Sequence, residues 1–223
     1  MVRLYQKKEK NMLYIISTPI GNLKDITLRA VEIFNKLDVL LCEDTRKTGF
    51  LLSELKITNK PKLVSFYDEV EAQKIPEVIK MLQDNLEVGL VTDAGTPLLS
   101  DPGWLLFKKC RELEISYTAL PGACAAINAA VLSGLPIQRF SFLGFMPKKE
   151  GDIKKILLKY KDVEGAKILY ESPIRAQKTF KLIKEVCGED TEIRVVREMT
   201  KKFEEISNSV GKDMRGEVVM VFV

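Results

Sequence analysis

Short apolar runs recur along this chain, and between them the apolar positions switch to helical spacing. Leu13 to Ser17, Asp38 to Cys42, Lys62 to Phe66, Glu87 to Val91 and Ile115 to Leu120 are compact and rich in Val, Ile and Leu, the pattern of buried strands. After the first run, Asp25 or Thr27 can cap a helix that turns Leu28, Val31, Ile33 and Phe34 to a core. Val70 to Leu82, Trp104 to Leu113 and an alanine-rich stretch ending at Leu132 give further helices. Strands alternating with helices predict an α/β fold, a parallel sheet with crossover connections covered on both faces. The expected N-terminal domain is Rossmann-like and spans residues 1–120, with residues 1–11 a basic leader, disordered or non-native, and Met12 an alternative start.

Leu135-Pro136 marks a change of order. The pattern then predicts a strand at Phe140 to Gly144, a helix from Asp152 to Tyr160, a strand at Lys167 to Tyr170 and a helix from Arg175 to Val186. Strands near Glu192 to Arg197, Phe203 to Ser207 and Glu217 to Phe222 follow one another directly, so a second α/β domain over 121–223 is expected to carry a mixed sheet.

One stretch stands apart from this regular pattern. The fourth strand stops at Thr92-Asp93 and is followed by Ala94-Gly95-Thr96-Pro97-Leu98-Leu99-Ser100-Asp101-Pro102-Gly103. Gly95 admits φ > 0 and close backbone approach, and Pro97 fixes φ. Ser100-Asp101-Pro102 predicts an N-cap with proline at the first helical position. Two prolines, two glycines and two aspartates in one strand-to-helix connection point to a ligand loop at the carboxyl end of a strand, where open α/β sheets bind ligands. Thr18 to Leu23 and Pro121 to Ala123 are loops of the same kind. None carries G-x-G-x-x-G or G-x-x-x-x-G-K-[ST], which argues against dinucleotide and P-loop nucleotide binding.

Composition narrows the chemistry. No histidine occurs in the 223 residues, which removes Ser-His-Asp and Cys-His nucleophiles, H-E-x-x-H metal sites and any imidazole base. No metal is expected. The four cysteines lack C-x-x-C spacing, so neither zinc nor a disulfide framework is indicated; Cys42 and Cys110 read as small apolar core residues in a reducing cytoplasm. A net charge of +4 permits an anionic partner without requiring one. Lys7-Lys8, Lys148-Lys149, Lys154-Lys155 and Lys201-Lys202 are either a phosphate-binding rim or a solvated surface. Trp104 reads as core packing, with base stacking the alternative.

Several motifs in order carry a family resemblance. They are Ser17 to Thr27, Cys42-Glu43-Asp44-Thr45-Arg46, Asp93 to Gly103, Pro121-Gly122-Ala123, Leu143 to Pro147, Tyr170-Glu171-Ser172-Pro173-Ile174-Arg175, Arg197 to Lys201 and Arg215 to Val219. From Met12 onward the chain resembles the tetrapyrrole methylase superfamily of S-adenosylmethionine-dependent methyltransferases, and most of all its RNA-modifying branch. The resemblance implies a two-domain fold with the cofactor cleft between the domains. It implies a homodimer that methylates the ribose 2'-hydroxyl of a cytidine in the decoding region of 16S rRNA, on naked RNA or the small ribosomal subunit, with no DNA or membrane partner. The chain departs from the family pattern at Ile174 and over Phe66 to Val70, where histidines are usual.

The implied cofactor residues are Thr18, Pro19, Gly21, Asp93, Ala94, Gly95, Thr96, Pro97, Gly122 and Ala123, with Met199 and Gly216 from the second domain. For substrate and proton handling the candidates are Glu43, Asp44, Arg46, Glu171, Arg175, Glu198 and Lys201. Arg46 and Arg175 suit phosphate, and Lys201 suits a developing alkoxide. Each has a plainer reading: Glu43 to Arg46 as a helix cap with internal pairing, Glu171 and Arg175 as an i,i+4 salt bridge, Arg197 to Lys201 as a solvated strand end. Two other functions stay open, methylation of a corrin or porphyrin precursor and a cofactor- or RNA-binding module without catalysis.

Overall fold

The computed structural model describes residues 12–211 and 214–223. The basic leader, with Lys7-Lys8, lies outside the described residues. The chain divides into two compact units, one holding the chain to Pro19 and Leu23–Ala123, the other Ile20–Asn22 and Cys124–Val223.

The first unit alternates strictly: β1 (Met12–Ile16), α1 (Leu28–Phe34), β2 (Val39–Cys42), α2 (Thr45–Glu54), β3 (Lys62–Ser65), α3 (Asp68–Gln83), β4 (Val88–Leu90), α4 (Trp104–Glu112) and β5 (Ser116–Leu120). The strands form one parallel sheet in the order β3-β2-β4-β1-β5, as the alternation predicts. Side chains leave a strand to opposite faces in turn, so each strand feeds two cores. Leu13 and Ile15 of β1 with Val39 and Leu41 of β2 pack with Val78, Ile79 and Leu82 of α3 and Leu106 and Cys110 of α4. Ile16, Leu40 and Cys42 pack with Ala30 and Phe34 of α1 and Leu52 of α2. Cys42 and Cys110 are fully buried, the small apolar core residues expected.

The second unit contains α5 (Ala125–Ser133), β6 (Phe140–Phe145), α6 (Glu150–Tyr160), β7 (Ala166–Glu171), α7 (Pro173–Cys187), β8 (Ile193–Arg197), β9 (Glu205–Ser207) and β10 (Val218–Phe222). Its sheet runs β6-β7-β10-β8-β9, parallel at β6-β7 and antiparallel elsewhere, the mixed sheet implied by consecutive strands. β10 lies at the centre and all five of its residues are buried. Leu169, Val195 and Met220 pack with Ile153 and Leu157 of α6 and Ala176 and Ile183 of α7.

Three local expectations fail. Ser100-Asp101-Pro102 does not cap α4; the helix starts at Trp104 behind Gly103 at φ 117°, and Ser100 sits at φ 68° instead of the extended geometry a cap requires. The cap comes from elsewhere: Glu71 of α3, itself buried, accepts a hydrogen bond from the Leu106 backbone N–H at 3.0 Å. Trp104 is 55% exposed, because the buried face of α4 runs through Leu106 and Cys110 and a residue two positions from Leu106 points away. Leu28 is 84% exposed for the same reason, since α1 buries Ala30 and Phe34.

Candidate functional site

Strand order brings the turn-rich loops together. β4, β1 and β5 are neighbours, paired in parallel at Ile15↔Leu90 and Ile16↔Leu120, so the segments leaving their carboxyl ends start side by side. Parallel strands align these tips without any contact between the loops being needed.

Contacts between the loops then fix them. Thr18 N–H donates to Gly95 O at 2.8 Å and Gly95 N–H to Thr18 O at 3.1 Å, an antiparallel bridge outside any strand. Gly95 adopts φ 85°, which this pairing exploits. Thr18 Oγ1 donates to Thr92 O at 3.2 Å. Ser17 Oγ lies 3.1 Å from Thr96 Oγ1; the serine also reaches Leu120 O at 3.3 Å and the threonine Ala123 O at 3.0 Å. A Cβ on Gly122 would stand 2.6 Å from Ser17 Cβ, so the third loop passes too close for any side chain. Ser17 and Thr92 were not among the sequence candidates. Their signal is hydroxyl residues placed directly after an apolar run, where strand pairing ends and backbone groups need partners.

Beside these loops stand carboxylates from the tips of β2 and β4 and the start of α3. Glu43 accepts a hydrogen bond from Asp93 N–H at 3.2 Å; burial pushes its carboxyl up, partly offset by that bond. Lys47 pairs with Asp93 at 2.5 Å, which raises the lysine. Asp44 caps α2 through Arg46 N–H at 2.9 Å and binds the Arg46 guanidinium at 2.8 and 3.1 Å, which holds its carboxyl below the usual range. Arg46 is thus engaged with its own helix turn, the pairing expected as its plainer role. Asp101 is half-buried beside the Thr92 hydroxyl. Burial first, then the charge of Glu43, push its carboxyl up to about 7.

In the second unit, Glu171 is saturated. One oxygen accepts from Ser172 N–H at 2.7 Å and pairs with Arg175 at 2.6 Å; the other accepts from the Thr179 hydroxyl at 2.6 Å. Arg175 also donates to Ser172 Oγ at 3.1 Å and to the Met146 and Pro147 carbonyls at 3.0 and 3.1 Å. The i,i+4 pair is real, and it ties α7 to the segment after β6. Such a network leaves no lone pair on Glu171 for proton transfer.

Gly21, in the same unit, is enclosed by the turn after β8: an added Cβ would meet Lys201 Cγ at 2.5 Å, Thr200 Oγ1 at 2.6 Å and Met199 O at 2.9 Å. Glu198 and Thr200 hold left-handed conformations at φ 50° and 63°, and Gly216 at φ 83° lies against the Glu198 carboxylate. Lys201 bridges Glu198 at 3.1 Å and Glu217 at 2.9 Å; desolvation works against its charge, but these bonds keep it raised. Thr200 Oγ1 is buried and finds no hydrogen-bond partner among the described residues.

Among the described residues no group of three or more Cys, Asp or Glu is arranged to hold a metal, and no helix is long and apolar enough to cross a membrane. A sequence profile of the Tetrapyrrole (Corrin/Porphyrin) Methylases matches residues 12–214. The chain is 42% identical over 204 residues to a protein named Ribosomal RNA small subunit methyltransferase I from Haemophilus influenzae, covering 92% of this chain and 71% of that one. It is 41% identical to the protein of that name from a Hydrogenobaculum species, covering 94% of each. Among solved structures, a cobalt precorrin-4 methyltransferase superposes with a TM-score of 0.70 at 16% identity, over 99% of this chain and 98% of that one. A uroporphyrin-III-C-methyltransferase from Thermus thermophilus gives 0.67 at 16%, over 96% and 94%. At that identity the superposition speaks for the fold alone. The chain belongs to the tetrapyrrole (corrin/porphyrin) methylase family and, within it, to the group of ribosomal RNA small subunit methyltransferase I proteins.

Proposed function

We propose that this chain transfers a methyl group from S-adenosylmethionine to the ribose 2'-hydroxyl of a cytidine in the decoding region of 16S rRNA, working in the cytoplasm as a homodimer. The observation that carries the reading is the convergence of three side-chain-poor loops on neighbouring strand tips, Thr18-Pro19, Asp93 to Pro97 and Gly122-Ala123, in a chain about 40% identical to proteins named for this modification.

The residues present fit that cofactor. It carries a reactive sulfonium methyl and so brings its own chemistry, which a chain without histidine requires. Gly95 and Gly122 leave the backbone open to close approach, and the carboxylates of Glu43, Asp93 and Asp101 suit a cation. Thr200 Oγ1, buried and unpartnered among the described residues, is a hydroxyl in want of a ligand atom, and Met199 and Gly216 flank the same turn. In this reading the loops of the first unit bind and orient the donor. Arg46 has a 90% exposed side chain and can exchange its local partner for a phosphate, whereas Glu171 and Arg175 hold the chain after β6 in place. Lys201, held charged by two carboxylates, is available to a developing oxyanion.

The test is transfer of labelled methyl to unmodified small ribosomal subunits, naked 16S rRNA and a precorrin-type acceptor. Label on a cytidine ribose is the expected result. Label on the precorrin alone would move the chain to the tetrapyrrole branch; cofactor binding without any transfer would make it a binding module.

A further inference from the structure

We propose that Asp101 takes the proton from the acceptor hydroxyl during methyl transfer, with Glu43 the neighbouring anion that keeps it basic; the assignment rests on the function proposed above. The hydroxyl oxygen forms the new bond to the methyl carbon, the carbon–sulfur bond breaks with its electron pair left on sulfur, and the proton passes to the Asp101 carboxylate and then to water.

A chain without histidine must find its base among its acids, and most of those near the loops are committed. Asp44 is locked to the Arg46 backbone and guanidinium, and Asp93 is ion-paired with Lys47. In the other unit Glu171 is saturated, while Glu198 holds Lys201 and the Glu217 N–H. Asp101 has no ion pair among the described residues. It is half-buried at the end of the Asp93 to Gly103 loop, with the Thr92 hydroxyl as its hydrogen-bond donor. Thr92 O in turn accepts from Thr18 Oγ1, so Asp101 stands one residue from the bridge that fixes the donor loops.

The charges that face it come from three elements. Glu43 lies at the end of β2, Asp68 at the start of α3 and Asp93 in its own loop, and all three are acids; Lys47 of α2 is spent on Asp93. Burial and this anionic surrounding raise the carboxyl to about 7, which suits a base that must both accept a proton and release it at neutral pH.

Single-turnover methyl transfer to small ribosomal subunits, with cofactor saturating and pH varied from about 5.5 to 9, tests the assignment. The wild-type rate is expected to rise through an apparent midpoint near 7. Asp101→Asn should lose roughly 100-fold or more in rate and lose the pH-dependent rise, with cofactor affinity by calorimetry unchanged. Glu43→Gln removes the nearest anion and should move the midpoint to lower pH. Should Asp101→Asn fail to fold by circular dichroism, the Glu43→Gln shift decides. A wild type active on subunits whose rise persists in Asp101→Asn, or stays put in Glu43→Gln, overturns the assignment alone. A wild type that binds cofactor and methylates no subunit overturns the function proposed above, and this assignment with it.

Discussion

Thr18 and Gly95 exchange both of their backbone hydrogen bonds, at 2.8 and 3.1 Å, although neither belongs to a strand. The bridge holds the loops after β1 and β4 as one surface, and it needs Gly95 at φ 85°. Valine is costly there, by roughly 1–2 kcal/mol of backbone strain before any clash with a ligand. Gly95→Val should therefore bind S-adenosylmethionine at least about tenfold more weakly by calorimetry, with helix content unchanged by circular dichroism. Wild-type affinity in that variant would remove this loop from the cofactor site.

Glu71 supplies the cap that the sequence before α4 does not. Replacing it by alanine leaves the buried Leu106 N–H without a partner, which costs on the order of 1–3 kcal/mol. Urea unfolding should show that loss in Glu71→Ala and partial recovery in Glu71→Gln, whose amide oxygen can still accept. Equal midpoints for alanine and wild type would mean α4 starts without this bond.

Asp101 also sets a pH dependence of stability. Its carboxyl titrates near 7 in the folded chain against an ordinary 3.8, so folding is favoured by protonation. That contribution is fully present below about 3.8 and is lost as pH rises through about 7. Asp101→Asn lacks the loss. Its stability relative to wild type should grow between pH 4 and pH 8 by on the order of 3 kcal/mol, read from paired urea titrations. A difference that stays level across the range would contradict the burial of this carboxyl.

Two glycines make a matched comparison. A methyl on Gly21 would enter space held by Lys201, Thr200 and Met199, whereas one on Gly151 in α6 meets nothing within 4 Å. Gly21→Ala should destabilise by roughly 1–3 kcal/mol through overpacking. Gly151→Ala should stabilise by about 0.5–1 kcal/mol through helix propensity. Melting temperatures that move in the same direction would refute the enclosure of Gly21.

The strands and helices were legible in the sequence because their signals are local: valine-rich runs for β2 and β10, a 3.6-residue period for α3 and α7, turn residues at Gly95 and Pro121-Gly122. Glu171 and Arg175 were legible as a pair for the same reason, since four residues on a helix bring side chains together. Where that locality ends, the reading ended too. The cap of α4 lies 35 residues away on α3, the outward turn of Trp104 depends on which face of α4 meets the sheet, and Ser17 matters only because β5 lies next to β1. Asp101 is an ordinary acid as a letter; it titrates near neutrality because separate elements bury it and crowd it with other acids. The sequence by itself determined which segments are strands, helices and backbone-rich turns, since those preferences act over a few neighbouring residues. Tertiary structure alone decided which turns meet and which carboxylates stay uncommitted, because burial and charge are sums over groups that only the packed chain brings near.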